Sequence, residues 1–326
     1  MNKIYFIIAV LLTSFSASSQ NRFFYANLQG SQEVPPSGSS ATGVVVVKYN
    51  SATKLLELWG DYKDLATAAT ASHIHSPAPV GTNAGVLVAL TLSGGTSGTI
   101  TGSVTLTPAQ ETDFYAGNMY VNVHNANFPA GEIRGQLMEA TNGQSNFFTG
   151  RLQGAQEVPP NPSTATGMVH AILDRSLNMV YATGSFAGLT SAASAGHIHK
   201  AAPTVAGGVL IPLVFSAATG GVFHVTSTVL PADATEIANG NSYINIHSAT
   251  YPGGEIRGQM IQEFSLRYLA GTLQSSQEVP PNLSTATGNV IVKYNVDTKL
   301  LELEGNYNGL AANITASHIH SPAAPG

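Results

Sequence analysis

Cysteine is absent from all 326 residues. Disulfides therefore do not hold the chain together, and thiolate metal sites, thiol nucleophiles and iron–sulfur clusters are excluded with them. Charge is also scarce: Asp, Glu, Lys and Arg make up 10% of the residues, with a formal net charge of −5. So few cations form no surface that would neutralise phosphates, which rules out nucleic acid as a partner. Beyond the first residues no apolar run approaches the ~20 residues of a membrane helix, so the mature chain carries no transmembrane segment. The Gly-x-Ser-x-Gly elbow, the phosphate-binding loop and His-Glu-x-x-His are missing too.

What is present begins with an export signal. Met1-Asn2-Lys3 is a short basic start, Ile4–Leu12 is apolar, and small and polar residues follow to Gln20. That order predicts a secretory signal over residues 1–20, cleaved near Ser19 or Gln20. With the overall composition it suggests a bacterial protein that is secreted, periplasmic or held at the cell surface. Gly, Thr, Ser, Ala and Val dominate the remainder, as in many exported β-proteins.

Several segments recur in one order at a period of roughly 120 residues, which suits a whole domain rather than a solenoid repeat. Gln-Glu-Val-Pro-Pro stands at Gln32–Pro36, Gln156–Pro160 and Gln277–Pro281. His-Ile-His stands at His73–His75, His197–His199 and His318–His320, and Gly-Glu-Ile-Arg-Gly-Gln at Gly131–Gln136 and Gly254–Gln259. The expected layout is a signal over 1–20, domains over 21–141 and 142–264, and a third, truncated copy over 265–326. A copy that stops after its His-Ile-His reads as a fragment of a longer protein. The copies are expected to behave as beads on a string, joined by a polar linker over 140–145.

Within the first copy, β-branched and aromatic alternation between turn clusters predicts strands over 22–29, 42–49, 55–62, 71–75, 86–90, 99–106, 119–124 and 132–138. Thr107-Pro108-Ala109-Gln110 reads as an N-cap, a first-turn proline and a capping-box glutamine, so a short helix follows to about Gly117. Eight short strands with one helix predict an all-β, Greek-key β-sandwich or flattened barrel.

Alternation also places the histidines. Met119, Val121 and Val123 share one face of their strand, while Tyr120, Asn122 and His124 share the other. Ile74 likewise opposes His73 and His75. Three imidazoles are thus expected to meet on the outer wall: His73, His75 and His124, and in the second copy His197, His199 and His247. Neutral imidazole ligates Cu and Zn, and three protein ligands leave a position open. The competing reading, which the sequence favours, leaves them as surface histidines bonded to backbone or Asn122.

Glu33 and Arg134 recur as Glu157 and Arg257. One reading makes the arginines anion guides beside the histidines. The preferred one makes each Glu/Arg couple structural, tying the first strand to the last. His170 and His224 lack histidine counterparts in the first copy, where Val45 and Ile100 or its neighbours stand, and read as incidental. Glu57 with Asp61, and Glu302 with Glu304, read as solvated charges on exposed strand faces.

Together Gln-Glu-Val-Pro-Pro, His-Ile-His and Asn122–Gln136 resemble the CHRD domain, named after chordin, the extracellular antagonist of bone morphogenetic proteins. The resemblance covers essentially the whole mature chain, as two copies and part of a third. It implies an immunoglobulin-like barrel with limited similarity to copper/zinc superoxide dismutases, and it assigns no activity. On that similarity, His73 and His75 look like the dismutases' His-Val-His copper pair, His124 like a later copper ligand, and Arg134 like the arginine that guides the substrate. The departures are plain: there is no bridging histidine between His75 and His124, no zinc cluster and no cysteine pair. The expectation is therefore a non-enzymatic extracellular binding, adhesion or structural role, with an extracellular protein or surface ligand as partner. A three-histidine copper or zinc site with redox activity is the alternative.

Overall fold

The computed structural model describes residues 21–141, 145–263, 266–278, 280–295 and 301–311. Residues 1–20, expected to be an export signal, and the third pair of histidines, His318 and His320, lie outside them.

The first repeat runs β1 (Asn21–Gln29), β2 (Thr42–Asn50), β3 (Leu55–Tyr62), β4 (Ala69–His75), β5 (Val86–Ala89), β6 (Thr91–Leu92), β7 (Gly98–Thr105), α1 (Pro108–Tyr115), β8 (Tyr120–Asn125), β9 (Ile133–Gln136) and β10 (Met138–Glu139). The second repeats it as β11 (Ser145–Gln153), β12 (Thr166–Asp174), β13 (Met179–Ala187), β14 (Ala193–Lys200), β15 (Gly208–Pro212), β16 (Val214–Phe215), β17 (Gly221–Thr228), α2 (Pro231–Ala238), β18 (Tyr243–Ser248), β19 (Ile256–Gln259) and β20 (Ile261–Glu263). In each, a nearly closed antiparallel sheet wraps one core; its order in the first is β5-β4-β8-β9-β1-β2-β3-β7-β6, with β10 on β1. The all-β class is as expected, and β6 and β10 add two short strands.

Local chemistry sets these elements. At the β2–β3 turn the Asn50 carboxamide oxygen accepts the N–H groups of Ala52 and Thr53, both at 3.0 Å, closing the hairpin. Thr107 caps α1: its hydroxyl accepts the Gln110 N–H at 3.4 Å while the Gln110 side chain accepts the Thr107 N–H at 2.8 Å. α2 begins after Leu230, which supplies no side-chain cap. Inward residues of alternate positions, among them Phe24, Leu28, Val45, Val47, Leu58, Ile74 and Val121, form the first core, and their counterparts form the second.

The two full repeats are not beads on a string. They form one compact unit over Gln20–Glu263, joined by a third apolar cluster of Phe23, Val44, Val46, Ala140, Phe147, Ile172 and Tyr181. The outer faces of β1, β2 and β3 meet those of β11, β12, β13 and β17. Phe23 stacks on its counterpart Phe147 at 5.5 Å, Tyr25 on Tyr181 at 3.7 Å, and Trp59 on His170 at 4.7 Å. Ala140, expected in a polar linker, is fully buried here.

This docking corrects three expectations. Asp61 is not solvated but fully buried, and it forms an ion pair with His224 of the second repeat at 2.6 Å. It also accepts the Val44 N–H at 3.0 Å, while Thr42 Oγ1 lies 3.3 Å from the far nitrogen of His224. Burial works against a charged His224, but Asp61 outweighs it and holds the imidazole above the ordinary value of 6.5. His170 is equally far from incidental. Its half-buried ring stacks on Trp59, and desolvation there pushes it down to about 4. Glu57 is only half-buried, within 3.6 Å of Lys48.

Residues 264–326 fall in a separate unit, in which β21 (Leu266–Gln274), β22 (Thr287–Asn295) and β23 (Leu301–Asn308) form an antiparallel sheet. The side chains of Glu302 and Glu304 are outside the described set.

Candidate metal centre

β4 and β8 are hydrogen-bonded neighbours, with His73 opposite Asn122, His75 opposite Tyr120 and Ala71 opposite His124. Period-two alternation puts all three imidazoles on one side. β5 carries one extra residue across from the Ile74–His75 step, a bulge beside the site. One ring nitrogen from each histidine lies within 4.8 Å of the others, and the second repeat assembles His197, His199 and His247 within the same limit. His73 Nδ1 stands 3.0 Å from His124 Nε2, and His197 Nδ1 stands 3.2 Å from His247 Nε2.

The trio is less open than alternation implies. His75 and His199 are each 7% exposed, and only the other four rings are partly exposed. His75 lies flat on Tyr120 at 4.6 Å and His199 on Tyr243 at 4.8 Å. A loop closes over each: His75 Nδ1 donates to the Ala84 carbonyl and His199 Nδ1 to the Gly207 carbonyl, both at 2.9 Å. His124 Nδ1 donates to the Pro129 carbonyl and His247 Nδ1 to that of Pro252, both at 3.0 Å. These bonds put the proton of the neutral rings on Nδ1 and leave the lone pair on Nε2. His75 Nε2 lies 3.1 Å from Asn122 Oδ1, so the first trio makes both the backbone and the Asn122 contacts that the competing reading expected. Burial, then the neighbouring imidazoles, lowers His73 and His197, and burial likewise lowers His124 and His247. Those four rings are therefore neutral at pH 7, the form that ligates metal.

Glu33 and Arg134 stand beside this cluster without a direct ion pair. Arg134 is 1% exposed and lies over Tyr120 at 3.3 Å, so Tyr120 links the guanidinium to His75. Its nitrogens donate to Asn83 Oδ1 at 3.1 Å and Gln136 Oε1 at 3.4 Å. Glu33 is buried against Gly131, and burial, only partly offset by Arg134, raises its carboxyl to about 7. Glu157 and Arg257 repeat the arrangement, with Glu157 also at about 7 and Arg257 over Tyr243 at 3.4 Å. β1 is tied to β9 at Gln29 and Arg134 and to β10 at Phe24 and Tyr25, and the ion pair between first and last strands is that of Arg22 with Glu139, not of Glu33 with Arg134. A cleft of about 350 Å³ opens between the Ser31–Pro36 segment and Val80–Gly81, over Arg134 and Gln136.

The repeated motifs thus converge on one end of each barrel. The CHRD domain family model matches residues 24–137, 148–260 and 269–326. The chain belongs to the CHRD family. No curated protein matches it. Tyr120 and Asn122 of the first CHRD repeat, and Tyr243 and Asn245 of the second, were expected on the histidine face. The carbonyls of Ala84 and Pro129 were not, because any residue type supplies one. Among the described residues no helix is long and apolar enough to cross a membrane.

Proposed function

We propose that this CHRD chain is exported through residues 1–20 and acts outside the cytoplasm as a non-enzymatic binding or structural array, engaging an extracellular protein or surface ligand. The observation that carries this reading is the docking of two CHRD repeats through an apolar, aromatic face. Such a face uses one side of each module for architecture and leaves the motif-bearing ends to engage a ligand. Full-length chain expressed in a bacterial host is expected outside the cytoplasm, with a mature N-terminus near Asn21 by mass spectrometry. Recovery in the cytoplasm with Met1–Gln20 intact would refute export. Superoxide turnover by the copper- and zinc-treated protein is expected not to exceed that of the free ions, and faster turnover would refute the non-enzymatic reading.

A further inference from the structure

We propose that each full repeat binds one divalent copper or zinc ion, held by His73, His75 and His124 in the first and by His197, His199 and His247 in the second. The inference rests on side-chain geometry and not on export or partner, so either can fail without the other.

Four observations converge on it. The first is spacing: ligands at about 2.0–2.1 Å from one ion lie roughly 3.0–3.4 Å apart, which matches the 3.0 and 3.2 Å nitrogen pairs. The third nitrogen lies within 4.8 Å of the other two, so its ring has to close by up to about 1.4 Å to reach the same spacing, a shift that side-chain torsion supplies.

The second is an orphaned donor atom. His199 is 7% exposed, and its Nε2 is buried without any hydrogen-bond partner. Its Nδ1–H is committed to the Gly207 carbonyl, so the neutral ring turns a bare lone pair into the cluster. Asn245 Oδ1, the other acceptor there, is also unpartnered. Two buried acceptors lacking a donor are costly as they stand, and a bound cation satisfies the imidazole. This observation belongs to the second repeat; in the first, His75 Nε2 lies 3.1 Å from Asn122 Oδ1.

The third is the second layer. Backbone carbonyls hold two rings of each trio by Nδ1, and Tyr120 or Tyr243 stacks on one of them. Such contacts orient ligands and fix which nitrogen faces the ion. The fourth is the donor set. Three imidazoles without a carboxylate or thiolate suit copper and zinc, and poorly suit calcium or magnesium, which take oxygen ligands. Copper should bind more tightly than zinc, and three protein ligands leave one coordination position open.

The test uses metal-free, full-length mature protein titrated by calorimetry with CuCl₂, ZnCl₂ or CaCl₂. Two copper or two zinc ions, one for each full repeat, are expected at sub-micromolar Kd, with no calcium uptake. His124→Ala should remove one of the two sites, and His124→Ala with His247→Ala both, weakening binding at least 100-fold, with circular dichroism unchanged. The unmodified protein carries a readout independent of how the variants fold: its Cu²⁺ electron paramagnetic resonance spectrum should show hyperfine coupling to three imidazole nitrogens. Fewer than two tight ions per chain, a spectrum with one nitrogen or none, calcium uptake at the same stoichiometry, or a folded double variant that still binds two ions would each overturn the proposal.

Discussion

The docking face and the histidine end of each repeat are built on the same scaffold, yet the two copies treat them differently. At the histidine end, residue identity is kept: His73, His75, Tyr120, Asn122, His124 and Arg134 match His197, His199, Tyr243, Asn245, His247 and Arg257. At the docking face, strand register pairs Val46 (and not Val45, the counterpart expected from the sequence) with His170, Lys48 with Ile172, Glu57 with Tyr181 and Trp59 with Thr183 as equivalent positions, and none of these pairs is alike. A face that must fit an unlike neighbour needs complementary chemistry, so its copies diverge. An end that performs one task twice needs the same atoms in the same place.

The largest expected effect breaks the diverged side of that contrast. Asp61→Ala leaves His224 buried and unpaired, which should cost about 3–5 kcal/mol in urea denaturation of the full chain; a loss below about 1 kcal/mol would mean the pair does not hold the repeats together. The raised value of His224 fixes the sign of the pH dependence. Its contribution is complete below 6.5 and is lost as pH rises through the folded value, so docking should weaken as pH rises above 6.5. Asp64 supports the charge on His224 and Lys63 opposes it. In His224→Gln this slope should vanish.

Next come tests of the side that is kept, where equal effects are expected in both repeats. Gly131 and Gly254 have φ of 133° and 129°, and an added Cβ at either would strike the carboxylate of Glu33 or Glu157. Gly131→Ala and Gly254→Ala should each cost about 1–3 kcal/mol by thermal or chemical denaturation. Unequal losses would show that the two ends are not the same device. Glu33 and Glu157 are raised from 4.5 to about 7, so their folded forms bind protons that the unfolded chain has released. Stability should therefore fall between pH 4.5 and 7, and Glu33→Gln with Glu157→Gln should flatten that fall. The gain at pH 8 should be on the order of 1 kcal/mol per repeat, once discounted for solvent screening.

The smallest effect concerns a difference that serves neither face. Thr107 caps α1 and Leu230 does not cap α2, so Thr107→Ala should cost, and Leu230→Thr gain, about 1 kcal/mol in thermal denaturation.

Much of this was legible beforehand. The eight main strands of the first repeat fall within a few residues of the alternation pattern, and the trios follow from two spacings and the two-residue period. The docking was not read, although a signal was present. Val44–Val47 is apolar at every position, which is how a strand buried on both faces reads. Asp61 and His224 gave no local signal, because each is explained only by a partner more than 160 residues away. The cover over His75 was hidden for another reason: alternation reports which way a side chain points, and not whether a loop lies above it.

The carbonyls that steer the imidazoles come from loops that differ in sequence. Ser76–Gly85 and Ala201–Gly207 share little, yet Ala84 and Gly207 make the same 2.9 Å bond. Main-chain oxygen is the one acceptor that substitution cannot delete, so these loops are free to drift in composition provided their path is kept. Variation there can reshape the rim for a new neighbour without retuning the rings beneath it.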